Sequence, residues 1–153
     1  MCGNAISAVV ISAVLLVWSS AACAAEVKCT PTRPDSQGPF YQPEAPLRAS
    51  VGSGFELTGS VKSAMTCAPI PGARIEVWLA GPDGRYDDAH RATLFADPTG
   101  AYRFQSSFPP EYGSRPPHIH VRVTAKGYAT LVTQVYPEKG AENGIFDLVL
   151  RPE

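Results

Sequence analysis

Fifteen prolines and thirteen glycines punctuate this chain. From Pro31 onward they recur so often that no stretch can carry a long helix, because each proline removes a backbone donor and each glycine adds backbone entropy that a helix must overcome. What lies between the breakers is short and alternating: FELTGSVK, ARIEVWL, ATLFA, AYRFQ, HIHVRVT, YATLVTQVY and IFDLVL. Turn signals separate them, APIPGA before Arg74, GPDGR before Tyr86 and DPTG before Ala101. Short strands at this spacing predict an all-β fold, an antiparallel β-sandwich. ARIEVWL shows the expected phase, with Ile75, Val77 and Leu79 inward and Arg74 and Glu76 outward. The segment from Thr30 to Ser50 holds too many prolines for a core strand and is expected to lie over the sandwich as an ordered N-terminal arm.

The start of the chain has a different character. The first charged residue is Glu26, and an unbroken small and apolar run from Ala5 to Trp18 is followed by SSAACAA. The run is too short for a bilayer span of about 20 residues and has the form of a secretory signal peptide cleaved near Ala24 or Ala25. Residues 1–25 are therefore expected to be removed, leaving residues 26–153 as one domain that is periplasmic or secreted. Lipidation of Cys23, or retention of the segment as an anchor, is the alternative by which the chain would be membrane-attached. Cys2 and Cys23 then leave with the leader. Cys29 and Cys67 remain as one possible pair, read as a disulfide in an oxidising compartment, which the chain-entropy model values at about 4 kcal/mol. Thirteen basic against fourteen acidic residues give a net charge of −1. With no basic stripe and no polybasic patch, neither nucleic acid nor a membrane surface is an expected partner.

The chemistry concentrates in RPPHIHVRV, Arg115 to Val123. On a strand His118, His120 and Arg122 share a face, so two imidazoles aim the same way. Such a pair serves zinc, copper, iron or nothing at all. Just upstream, FPPEYGS holds Tyr112, and Tyr86 follows the GPDGR turn. Taken singly, each tyrosine is as well explained by a hydroxyl pinning a loop.

The run from Gly84 to Glu138, with GPFYQPEAPLR and PIPGARIEVW before it, resembles the intradiol ring-cleavage dioxygenases across nearly the whole chain beyond residue 25. That resemblance implies a non-haem Fe(III) centre held by Tyr86, Tyr112, His118 and His120. It implies a catechol substrate, O2 as co-substrate, and ring opening between the two hydroxyls to a muconate-type acid. Tyr112 would be the tyrosine that takes a catechol proton, Arg115 would offset charge on the ring, and Gln134 would hydrogen-bond the same region. The Tyr112 loop departs from the family pattern, with Pro110 where glycine is usual and Gly113 where proline is. Tyr41, Tyr102, Tyr128 and Tyr136 are left as packing or pocket-wall residues. Two other readings fit parts of the sequence: a non-catalytic transthyretin-like sandwich module, and a zinc site built from His90, His118 and His120.

Overall fold

A computed structural model describes residues 28–153. The expected signal peptide, Cys2 and Cys23 lie outside the described residues. Eight strands follow one another: β1 Phe55–Ser63, β2 Arg74–Trp78, β3 Arg91–Phe95, β4 Ala101–Ser106, β5 Ile119–Thr124, β6 Leu131–Val135, β7 Asn143–Ile145 and β8 Leu148–Leu150. A single 3-10 turn, Asp88–His90, is the one helical element among the described residues. One sheet runs β3-β2-β5-β6, all antiparallel; the other runs β4-β1-β7, with β8 also paired to β1. Their facing side chains make one apolar core, in which Leu57, Val61, Phe104, Leu148 and Leu150 of one sheet meet Ile75, Val77, Ile119, Val121 and Val123 of the other.

Two features differ from the expectation. The second sheet is mixed, because β7 and β8 both pair with β1 in parallel. IFDLVL is also not one strand but breaks at Phe146 and Asp147. There the Asp147 carboxylate accepts from the Ser60 amide at 2.9 Å and from Lys62 Nζ at 2.6 Å, while the Phe146 carbonyl accepts from the Tyr102 hydroxyl at 2.6 Å. The chain can bend that close to β1 only because position 59 is glycine. A Cβ there would stand 2.0 Å from the Phe146 carbonyl oxygen.

The proline-rich arm closes the structure. Its backbone pairs with β8 (Thr32 N to Val149 O, 3.1 Å) and β6 (Asp35 N to Val132 O, 2.9 Å). Farther on it pairs with β3 (Thr93 N to Pro46 O, 2.8 Å) and β4 (Gln105 N to Ala49 O, 2.9 Å). Its start is fixed by the Cys29–Cys67 disulfide. Strand edges that would otherwise offer unpaired amides are thereby occupied.

Between those edges the arm crosses the side of the β3-β2-β5-β6 sheet that faces away from the core. The expected phase of ARIEVWL holds, with Ile75, Val77 and Leu79 in the core, but its outward side is covered. Glu76 does point away from the core, yet it is only 1 % exposed. The Tyr41 hydroxyl of the arm donates to its Oε1 at 3.1 Å, and Arg122 and Arg74 reach its Oε2 at 2.6 and 3.2 Å. A carboxylate survives such burial because three donors replace the water it lost.

Candidate metal centre

Strand register explains how the site residues meet. Trp78 lies opposite Arg91 on one side and His120 on the other, and His120 lies opposite Gln134. Arg91, Trp78, His120 and Gln134 therefore form a row straight across the covered face, and all four are buried. His118 precedes His120 by two residues and lands on the same face, with ring centroids 4.9 Å apart.

The tyrosines come from loops. Tyr86 is carried by the segment between β2 and β3, which is held at its base by buried Arg91, whose Nε donates to the Asp87 carbonyl at 3.2 Å, and by Arg48, which donates to the Asp88 and Arg91 carbonyls. Tyr112 sits in a tight turn whose ends exchange backbone hydrogen bonds, Tyr112 N to Arg115 O at 3.1 Å and Arg115 N to Tyr112 O at 3.0 Å. The left-handed residue this turn needs is Gly113, at φ 60°. That accounts for Pro110 and Gly113 standing where the family pattern has glycine and proline: the backbone freedom has moved to the far side of the tyrosine.

The four rings converge. Tyr86 is edge-on to Tyr112 at 5.3 Å and to His120 at 5.9 Å. His118 Nδ1 donates to the Pro116 carbonyl at 2.7 Å, which fixes the tautomer and leaves the Nε2 lone pair facing the Tyr86 hydroxyl at 3.1 Å. Burial lowers the pKa of both histidines, that of His120 to about 4, so both imidazoles are neutral at pH 7 with a lone pair to give. Burial also raises the pKa of Tyr86, so its phenol stays protonated unless a cation stands beside it. His120 Nδ1 is buried with no hydrogen-bond partner. Two phenols and two neutral imidazoles, one of them with an unpartnered buried nitrogen, are a fitting donor set for a hard trivalent cation.

The arm roofs this cluster. Phe40 stacks on Tyr86 at 4.4 Å and stands edge-on to Tyr112 at 5.6 Å. Gly38, at φ 68°, passes so near His120 that a Cβ would come within 3.2 Å of its Cε1. Below, Trp78 stacks on His120 at 4.9 Å with the ring planes 5° apart. Arg115 Nη2 donates to Gln134 Oε1 at 2.6 Å, so the two residues expected to act together are in contact.

His90 does not join them. Its Nδ1 contacts the Asp87 carboxylate at 2.8 Å and its ring packs against Gly81. Among the described residues no three His, Cys, Asp or Glu side chains gather in metal-binding geometry. The three-histidine zinc arrangement is therefore not formed. The sequence reading also passed over Trp78 and Asp35 and left Tyr136 as a wall residue. The signal for Trp78 was available: it stands out of phase with Ile75 and Val77, and a tryptophan on the supposedly wet phase of a strand means that the phase is covered.

Comparison with known proteins gives the same architecture. A chlorocatechol 1,2-dioxygenase of a Pseudomonas species is 32 % identical over 71 % of this chain and 57 % of that protein. A hydroxyquinol 1,2-dioxygenase of Nocardioides simplex is 33 % identical over 66 % of this chain and 45 % of that protein. Among solved structures, the dioxygenase domain of a dioxygenase carbohydrate-binding protein fusion from Streptomyces sp. SirexAA-E superposes with a TM-score of 0.71 at 26 % identity, covering 81 % of this chain and 100 % of that one. No protein-family model matches the chain. The β-sandwich is thus common ground with that dioxygenase domain. The chain belongs to the intradiol ring-cleavage dioxygenase family. It spans about half the length of the curated relatives it matches.

Proposed function

We propose that this protein is a non-haem Fe(III)-dependent dioxygenase that opens a catechol-type ring between its two hydroxyls. The product is a muconate-type dicarboxylic acid that keeps both atoms of one O2, so no further reductant is consumed. The supporting observation is the convergence of Tyr86, Tyr112, His118 and His120, with the Tyr86 hydroxyl 3.1 Å from His118 Nε2. These four residues would hold the iron. Fe(III) held by two phenolates supplies a Lewis-acidic, electron-accepting centre at which a bound catecholate becomes open to attack by O2 at a ring carbon.

The chain's own residues do the rest. Tyr112, half-buried at the base of its turn, takes a catechol proton at its Oη. Arg115, a permanent cation, offsets the negative charge that develops on the ring, and Gln134 keeps its guanidinium in place. Phe40 and Gly38 keep water off the inner rings. On the same proposal residues 1–25 are removed as a signal peptide and residues 26–153 work as one domain outside the cytoplasm. The Cys29–Cys67 bond supports an oxidising destination.

The test is spectroscopic and chemical. Protein purified in air is expected to be red to burgundy with about one iron per chain, since hard anionic oxygen donors favour a hard ferric ion. Catechol added without air shifts the visible band, and admitting O2 yields a ring-opened diacid with equal consumption of O2 and catechol. A protein that stays colourless and inactive after reconstitution with ferric or ferrous iron overturns the proposal. For the export part, an intact mass starting near residue 26 with no free thiol before reduction is expected; a full-length chain with two free thiols overturns it.

A further inference from the structure

Arg115 makes no ion pair among the described residues. It is instead one member of a closed hydrogen-bond circuit. Its Nη2 donates to Gln134 Oε1 at 2.6 Å and to the Tyr136 hydroxyl at 3.2 Å. Gln134 Nε2 donates to the Ser36 carbonyl at 2.5 Å. The Ser36 amide donates to Asp35 Oδ1 at 2.6 Å. The Tyr136 hydroxyl donates to Asp35 Oδ2 at 2.9 Å, and the ring of bonds closes. Tyr136 also approaches Gln134 Oε1 at 3.1 Å, but it has one hydrogen, which goes to the carboxylate as the stronger acceptor.

We propose that Asp35 and Tyr136 are the positioning residues of Arg115, and that the arm aims the guanidinium through them. The proposal rests on the dioxygenase reading of the site. A carboxylate placed directly against Arg115 would spend the charge that the substrate needs. Here Asp35 acts through one hydroxyl, so the guanidinium is oriented and balanced while its other donors stay available. Asp35 lies on the arm, 101 residues from Tyr136 in sequence. The catalytic arginine is therefore aimed by a segment that is not part of either sheet. Neither Asp35 nor Tyr136 touches the four ring donors by a hydrogen bond; the nearest approach is the Tyr136 ring, tilted at 6.2 Å from His118.

The experiment compares wild type with Tyr136→Phe, Asp35→Asn and the double variant. Iron content and visible colour are expected to stay at the wild-type level. With catechol as substrate, kcat should fall about tenfold in each single variant, the size of one lost hydrogen bond to a charged group, with KM changed less. The double variant should be no worse than either single one, and Asp35→Glu should restore most of kcat. A second readout needs no metal: in iron-free protein, modification of Arg115 by a dicarbonyl reagent, followed by peptide mass spectrometry, should run several-fold faster in the variants. If Tyr136→Phe and Asp35→Asn keep both the wild-type kcat and the wild-type Arg115 reactivity, the positioning proposal is overturned. If wild type takes no iron and turns over no catechol, the dioxygenase reading falls. In that case the reactivity comparison alone decides whether the circuit holds Arg115.

Discussion

The two faces of the β3-β2-β5-β6 sheet are both covered, the core face more completely, and chemically opposite. Toward the other sheet, register lines up Leu94, Ile75, Val123 and Leu131, then Ala92, Val77, Val121 and Thr133. Toward the arm it lines up Arg91, Trp78, His120 and Gln134, then Thr93, Glu76, Arg122 and Val132. The first face needs only shape and apolar area to be stable. The second carries charges, amides and imidazoles, each of which needs a partner once water is gone. The arm and the neighbouring strands supply most of those partners, leaving Trp78 Nε1, Arg91 Nη1 and His120 Nδ1 without one. Apolar packing and the proposed chemistry are thus carried on two sides of one strand, a single residue apart.

That division can be broken most sharply at adjacent positions on β5. His120→Ala should abolish iron binding and lower kcat by about three orders of magnitude or more while costing less stability than a core deletion, since the cavity it leaves is offset by removal of a buried nitrogen that had no partner. Ile119→Ala, next to it but facing the core, should cost about 3 kcal/mol of unfolding free energy and keep its iron. Urea titration and metal analysis on the pair read both. Comparable stability losses in the two variants would erase the distinction between the faces.

A middle-sized effect is expected at Glu76, which is structural although it lies on the functional face. Glu76→Gln should destabilise by about 2 kcal/mol, because Arg122 and Arg74 lose their shared counter-charge, with kcat within about twofold of wild type. A large loss of kcat with stability intact would move Glu76 into the site. The smallest effect belongs to Asp147 in the other sheet. The Lys62 hydrogen bond, then the Ser60 amide, hold its carboxyl below the ordinary value of 3.8. Its contribution is therefore fully present above that value and is lost as pH falls through the lower, folded one. Unfolding free energy measured from pH 5 to 2 should drop less in Asp147→Asn than in wild type. The difference will be slight and will shrink in salt, since both partners are partly exposed.

The core face could be read from the sequence because its signal is local. Alternation in ARIEVWL and HIHVRV, and the turns at GPDGR and DPTG, place the strands without knowledge of their neighbours. Of the candidate site residues, His118 and His120 were likewise marked by spacing, and Tyr86, Tyr112, Arg115 and Gln134 by likeness to a family. The covered face could not be read this way. A polar residue at every second position looks the same whether water or an arm lies above it, so Glu76 could be read only as outward-facing. The parallel pairing of β7 and β8, the break at Phe146 and the circuit through Asp35 and Tyr136 all depend on contacts between residues distant in the chain, and no window of sequence contains both partners.

The arm's anchoring also sets the order in which the molecule assembles. Thr32 bonds to Val149 and to the Asp147 carbonyl, Ser36 to Gln134 and Asp35 to Tyr136, separations of 98 to 117 residues. The first described segment to be synthesised therefore waits for strands made at the end of the chain, and closing loops of that length is the slow part of folding. The sandwich can collapse on its local hairpins while the roof over Tyr86, Tyr112 and the histidines is still open. During that interval a metal ion can reach the donors without any later opening of the native fold. Pulsed hydrogen exchange during refolding should find the amides of residues 32–38 protected after those of β2 and β5.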